Sequence, residues 1–274
     1  MKTHAFVVPA MLLGALALAL PVRAANDKEL QNMKGSVSYA RPSAAAKPLA
    51  PNAEIVLGDR DVAITGAASL AGVTLPDSSQ VLVGSESRVE LGFFKQTEIA
   101  NAKFVVYDGK VRFTVRHPQG ARANYIFTTP TASVAVRGTQ GDIESSGSDV
   151  RVNVYEVCDP SEPVTVTTKD GASYQLNAGQ SLVAQVVGGI VRAKVEALSQ
   201  QLIDQFSPDF GAPTSWDAAK GEVVGMAQSQ ASSALDSATG GYGSQVAGAL
   251  GGLFGHKKST PTPSPTPQSA SCTH

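Results

Sequence analysis

The feature that most limits what this chain can become is the rhythm of its middle. Between residues 36 and 191, short runs of alternating apolar and polar residues recur about every 8–15 residues, with Gly, Asp, Asn and Pro between them and no helical period intervening. Residues 110–116 show it plainly. Val111, Phe113 and Val115 fall on one side of an extended chain, Arg112, Thr114 and Arg116 on the other. Runs at 88–94, 98–107, 124–128, 133–136, 150–154, 164–168 and 181–187 continue the pattern. Asp108-Gly109 reads as a turn between 104–107 and 110–116. That spacing argues for antiparallel or solenoidal β rather than β-α-β units. The expectation is all-β: a β-solenoid-like roll or sandwich of short strands, followed by a C-terminal helix and a low-complexity tail.

An internal repeat bears on the choice between roll and sandwich. Residues 49–58 (LAPNAEIVLG) align at an offset of 26 with residues 75–84 (LPDSSQVLVG), and each copy reaches another glycine eight residues on, at Gly66 and Gly92. Two short strands and two glycine turns per unit would suit a rung pair of a solenoid or roll.

The flanks read differently. Lys2, an uncharged apolar run over 5–20 and the small-residue site Val22-Arg23-Ala24 make residues 1–24 a cleaved export signal. Residues 25–51 read as a linker and lead-in with one strand at 36–40, and 35–192 as the β domain. From Ala193 the spacing of Val195, Leu198, Leu202, Ile203 and Phe206 predicts a capping helix over 193–207, stopped by Pro208. Residues 208–256 are rich in Ala and Gly and partly helical by pattern, with 240–255 a candidate for weak membrane contact or self-association. Residues 257–274 form a Pro/Ser/Thr tail expected to be disordered. No second apolar run is long enough to span a bilayer. An exported chain ends in the periplasm or outside the cell, where Cys158 and Cys272 are free to pair or to stay apart. The formal charge is −1, or −3 without Lys2 and Arg23, which gives nucleic acid nothing to hold.

Residues 128–143, TTPTASVAVRGTQGDI, hold the most specific pattern. Val134 and Val136 alternate with small residues as in a half-buried strand, then Arg137-Gly138-Thr139 make a turn. Gly138 supplies positive φ or close approach. Arg137 is forked and always charged, able to cap carbonyls or pair with Asp142 or Glu144. The run Thr129-Pro130-Thr131-Ala132-Ser133-Val134-Ala135-Val136-Arg137-Gly138-Thr139 resembles the "tPtA-x-V-x-V-RGT" of the FecR domain family. Gly109-Lys110-Val111-Arg112-Phe113-Thr114-Val115 and Leu176-Asn177-Ala178-Gly179-Gln180 resemble two further segments of that family. The likeness extends over about residues 35–192. Gly141 stands where the family usually has a large apolar residue, and Cys158 follows Tyr155-Glu156-Val157 where it tends to have Gly. The resemblance implies a periplasmic, sensor-like binding fold. Signalling members carry a cytoplasmic anti-sigma segment and a spanning helix ahead of it, whereas this chain reads as a leader followed directly by β structure, so sigma-factor control does not carry over.

Catalytic constellations are not evident. The chain has no G-x-S-x-G elbow, S-x-x-K pair, phosphate-binding glycine loop or His/Cys ligand cluster, and His117 sits in a turn. No cofactor or metal is implied. The reading is a non-enzymatic exported module that binds, scaffolds or senses in the cell envelope, with an envelope protein or glycan as partner and Arg137, Gly138, Thr139 and Asp142 as candidate binding residues. The alternative is an enzyme acting on envelope polysaccharide through the carboxylates Asp142 and Glu144.

Overall fold

The computed structural model describes residues 27–116 and 122–213. The chain begins with β1 (Lys28–Lys34), β2 (Val37–Ala40), β3 (Lys47–Leu49) and β4 (Glu54–Leu57), then β5 (Asp61–Thr65), β6 (Leu70–Thr74), β7 (Gln80–Val83) and β8 (Arg88–Gln96). The 17-residue β9 (Ile99–Val115) follows. Four hairpins complete the body: β10 (Arg122–Thr128) with β11 (Ala132–Val136), β12 (Thr139–Ser146) with β13 (Asp149–Val157), β14 (Val164–Thr168) with β15 (Ser173–Leu176), and β16 (Gln180–Val187) with β17 (Ile190–Ala197).

The ladders resolve into two layers. Layer one runs β4-β1-β6-β7-β9-β12-β13-β16-β17. Layer two runs β3-β2-β5-β8-β9-β10-β11-β14-β15. β9 belongs to both, so hydrogen bonding is continuous and the 17 strands form a single sheet doubled back on itself. Its first half pairs with β8 and β10, its second with β7 and β12. The change of layer falls at Gly109, whose φ is +95°. A Cβ there would stand 2.4 Å from Ser87 Cα. Asp108-Gly109 is therefore a corner within one continuous strand, not a hairpin turn, because the segments on either side find partners in different layers.

The inward residues of the two layers make one core. Val111, Phe113 and Val115 are fully buried, as the alternation predicts. The Phe113 ring lies 5.1 Å from Phe127, and Phe127 5.0 Å from Phe104, so aromatic side chains of both layers meet at the centre. Each such ring contributes about 1.5–3 kcal/mol by leaving water.

The 26-residue repeat is present in the backbone. β4 and β5 occupy one copy, β7 and β8 the other, and positive φ recurs at Asn52 and Ser78 and again at Arg60 and Glu86. β5 and β8 nevertheless pair antiparallel, and among the described residues only β9 and β10 pair in parallel. Solenoid rungs stack in parallel, so these pairings are those of a sandwich.

Two segments differ from expectation. Residues 28–34, read as linker, form β1 between β4 and β6, with Leu30 fully buried and Lys28 paired to Asp59 at 2.6 Å. Residues 193–197, read as the start of a helix, extend β17, because Val191, Ala193 and Val195 alternate onto the core. Helix begins at α1 (Gln200–Asp204), where the Ser199 hydroxyl accepts the Leu202 N–H, and a further turn, α2 (Ser207–Phe210), follows. The helical spacing arose from joining the last inward residue of a strand to the buried residues after it. Residues 198–213 form a strap across the outward face of layer one and do not close an open end of the body. The residues read as an export signal, those around His117 read as a turn, and the Ala/Gly-rich and Pro-rich C-terminal segments lie outside the described residues. Among the described residues no helix is long and apolar enough to cross a membrane.

Candidate functional site

The RGT motif is the crossing from layer two to layer one. Thr129 Oγ1 accepts the N–H groups of Thr131 and Ala132, a local turn that launches β11. Val134 and Val136 bury, and the two-residue link Arg137-Gly138 delivers the chain to β12. Gly138 has φ +81°, and its carbonyl accepts the Cys158 N–H at 3.0 Å. Thr139 is fully buried at the start of β12. Gly138 and Thr139 are thus spent on the crossing, and Arg137 is left pointing out, with its side chain half exposed.

Arg137 pairs with neither Asp142 nor Glu144. Its Nη1 stands 3.8 Å from Glu162 Oε1. With Ile99, Asn101, Ala123 and Asn124, these two line a depression of about 180 Å³ on the outward side of layer two. Asn124 Nδ2 donates to Asn101 Oδ1 at 3.1 Å across the parallel β9–β10 pair. The row continues along β9, where Ile99, Asn101, Lys103, Val105 and Tyr107 alternate outward from the buried Ala100, Ala102, Phe104 and Val106. Phe93, at the bulge of β8, and Tyr107 are exposed aromatic side chains. The Tyr107 hydroxyl donates to Glu90 Oε2 at 2.6 Å, and that bond and carboxylate raise its pKa.

Asp142 lies on the other layer. It is fully buried and opposes Arg112 in register. Arg112 Nε and Nη2 donate to its two oxygens at 2.7 and 3.0 Å, a bidentate fork, and the Tyr155 hydroxyl donates to Oδ2 as well. Burial raises the Asp142 carboxyl above the usual aspartate value, and Arg112 and Tyr155 offset that only in part. Burial and the adjacent carboxylate raise the Tyr155 hydroxyl. Arg112 Nη1 reaches on to the carbonyls of Phe210 (3.3 Å) and Gly211 (2.9 Å) in the strap, and its guanidinium lies 5.4 Å from the Tyr155 ring and 5.1 Å from that of Phe210. Glu144, two residues on, is half exposed and 3.9 Å from Lys110. Asp142 cannot reach a water or a sugar while the strap is down, so the carboxylate pair of the enzymatic alternative does not form an open site.

Arg112 is the residue the sequence concealed. Alternation marked it as outward, and outward charge on a strand reads as a solvated face, yet it is 4% exposed. The cause is the strap, about 100 residues later in the chain, and no local pattern announces it. Gly141 is resolved by the same geometry. A Cβ there would meet the Phe113 ring at 2.6 Å and the Asn153 carbonyl at 2.4 Å, so Phe113 fills the space that a larger residue at this position would take. Cys158 is disulfide-bonded. Among the described residues no group of three or more His, Cys, Asp or Glu could hold a metal ion.

Residues 61–156, from the start of β5 nearly to the end of β13, match the family described as FecR protein. Over that stretch the chain is similar to the FecR domain. Two crystal structures of a candidate anti-sigma factor from Parabacteroides distasonis are similar to it, at 17% and 18% identity and TM-scores of 0.42 and 0.40. They cover 53% and 50% of this chain, which in turn spans 64% and 60% of theirs, just under two thirds. No curated protein matches it. The FecR match takes in both the RGT crossing and the Arg112–Asp142 pair, and it ends before the strap.

Proposed function

We propose that this FecR-domain protein is an exported, non-enzymatic binding module of the cell envelope, with a sensing or scaffolding role, and that it meets its partner through the outward face of layer two. One observation carries this reading. The depression beside Arg137, the Asn101–Asn124 amide pair and the exposed rings of Phe93 and Tyr107 converge on one face, while the carboxylate best suited to chemistry is sealed on the other. Exposed aromatic and arginine side chains are the usual anchors of a recognition surface. Export rests on the leader-like residues 1–24.

The test is a cross-linking pull-down from envelope extracts with full-length protein and an Arg137→Glu/Tyr107→Ala variant. The wild type recovers a specific envelope protein or glycan, and the variant loses it with its fold intact. Equal capture by both would remove the face from the proposal. Mass spectrometry of the mature protein should find its first residue at Ala25 or Asn26, and an unprocessed N-terminus would overturn the export reading.

A further inference from the structure

The outward face of layer one carries the residues of a wet surface: Lys110, Arg112 and Thr114 on β9, Asp142 and Glu144 on β12, Arg151 and Asn153 on β13. Yet Arg112, Asp142 and Asn153 are 4%, 0% and 0% exposed. A face of this composition, buried, needs a polar partner laid on it.

We propose that this face is a peptide-recognition groove, that the strap occupies it as a built-in ligand, and that its partner in trans is a peptide with an aspartate between two aromatic residues, the chemistry of Phe206–Phe210. Each feature of that segment has a seat. The Asp209 carboxylate accepts the Ser85 N–H at 3.1 Å and the Ser85 hydroxyl, and Lys110 Nζ stands 3.3 Å away. The Phe210 ring lies over Gly84, where a Cβ would come within 2.9 Å of Cζ, so a glycine leaves the space the ring fills. Arg112 takes the carbonyls of Phe210 and Gly211. Phe206 is fully buried, with Lys110 Nζ 5.7 Å from its ring centroid. A carboxylate, two rings and two main-chain carbonyls are groups that another peptide can present.

Three observations separate the strap from the body it covers. Beyond Leu198, whose N–H donates to the Gly179 carbonyl at 2.8 Å, the strap pairs with no strand, so lifting residues 199–213 breaks no ladder. Ser85, Lys110, Arg112, Asp142 and Tyr155 lie within the FecR match, and the strap lies beyond it. The seated strap also satisfies the face incompletely. Asn153, opposite Asp142 in register, keeps its Nδ2 without a hydrogen-bond partner although it is fully buried.

The experiment combines two measurements on the full chain. Native-state hydrogen exchange first asks whether the strap opens alone. Its amides should exchange at least about tenfold faster than those of β9 and β12, and exchange at the global rate would overturn the proposal. Fluorescence anisotropy then titrates a labelled synthetic peptide of residues 203–212 into wild type and into two strap variants, Asp209→Lys and Phe210→Ala, which leave the groove intact. A closed strap taxes binding in trans by the fraction of time the groove is open, so release should tighten the peptide about tenfold or more. A peptide with Asp209→Asn should bind more weakly, and Gly84→Val, which fills the Phe210 seat, should abolish binding. No gain in either released variant, or equal binding by the Asn peptide, would show the strap to be a fixed part of the fold.

Discussion

The two outward faces of this sandwich start from the same material and end in opposite states. Both are built of strands whose inward residues are mostly apolar and whose outward residues are mostly polar or charged, with Phe93, Ile99, Val105 and Tyr107 as apolar or aromatic exceptions on layer two. On layer two that rule leaves Arg137 half exposed, 3.8 Å from Glu162. On layer one the strap takes Arg112 to 4% exposure, bonded to Asp142 and to two strap carbonyls. The same residue type does different work in each place. An arginine in water loses little if its neighbour is removed, whereas an arginine out of water holds a charge that nothing else can neutralise.

The sharpest way to break this contrast is to truncate both arginines. Arg112→Ala leaves Asp142 buried with the Tyr155 hydroxyl as its remaining bonded partner and should cost about 3–5 kcal/mol. Arg137→Ala should cost less than about 1 kcal/mol. Urea denaturation of the two variants checks this, and comparable midpoints would mean that the strap does not keep water from Arg112.

A second pair of variants separates corners from tips. Gly109 bends β9 between layers against the Ser87 backbone, and Gly147 turns the β12–β13 hairpin with φ +57° and nothing within 4 Å of a Cβ. Gly109→Ala combines left-handed strain with overlap and should lose about 2–4 kcal/mol. Gly147→Ala meets only the strain, about 1–2 kcal/mol. Thermal melts of the two should therefore differ clearly, and equal losses would show that the corner within β9 yields.

How legible each face was follows from how far its determinants reach along the chain. Val111, Phe113 and Val115 declared the core by alternation, and the RGT run declared a turn, because strand period and turn chemistry are local. The 26-residue repeat was legible as a repeat but not as a sandwich, since whether two copies stack in parallel or reverse depends on pairings that no single copy encodes. The depression beside Arg137 needed Glu162, Asn101 and Asn124 to meet from three separate segments. Arg112 was read as a solvated charge because the residues that bury it, Phe206 to Gly211, follow a strand whose inward valines imitate a helical stripe. Asp142 was read as a candidate binding residue and a possible partner of Arg137, whereas the structure pairs it with Arg112.

A third comparison concerns the start of the strap. Ser199 caps α1 by accepting the Leu202 N–H, and Ser199→Ala should cost about 1 kcal/mol of helix stability. Hydrogen exchange should show the loss at α1 and leave layer two unchanged. A loss spread through both layers would mean that the strap and the body unfold as one unit.

The smallest expected effect is also the most selective, because it acts on one face through one proton. Burial alone would raise the Asp209 carboxyl, but the Ser85 hydroxyl and amide and the Lys110 ammonium outweigh it and hold the pKa below the usual aspartate value. A carboxyl depressed by docking contributes its stabilisation in full above the undocked pKa, near 3.9, and loses it as pH falls through the docked value. The strap should therefore stay seated from neutral pH down to about pH 4 and loosen below it, while Arg112 keeps its charge throughout. Two-dimensional NMR of Phe206 and Phe210 from pH 6 to pH 3 should show both rings leaving their seats in the acid limb, with the resonances of Phe104 and Phe127 in the core unchanged. Asp209→Asn removes the titrating group and should flatten that limb. If the rings still moved in the Asn variant, the acid sensitivity would belong to another carboxylate facing the strap, of which Asp142 and Glu144 are the nearest to Arg112 and Lys110, and the contrast between the faces would rest on the buried pair alone.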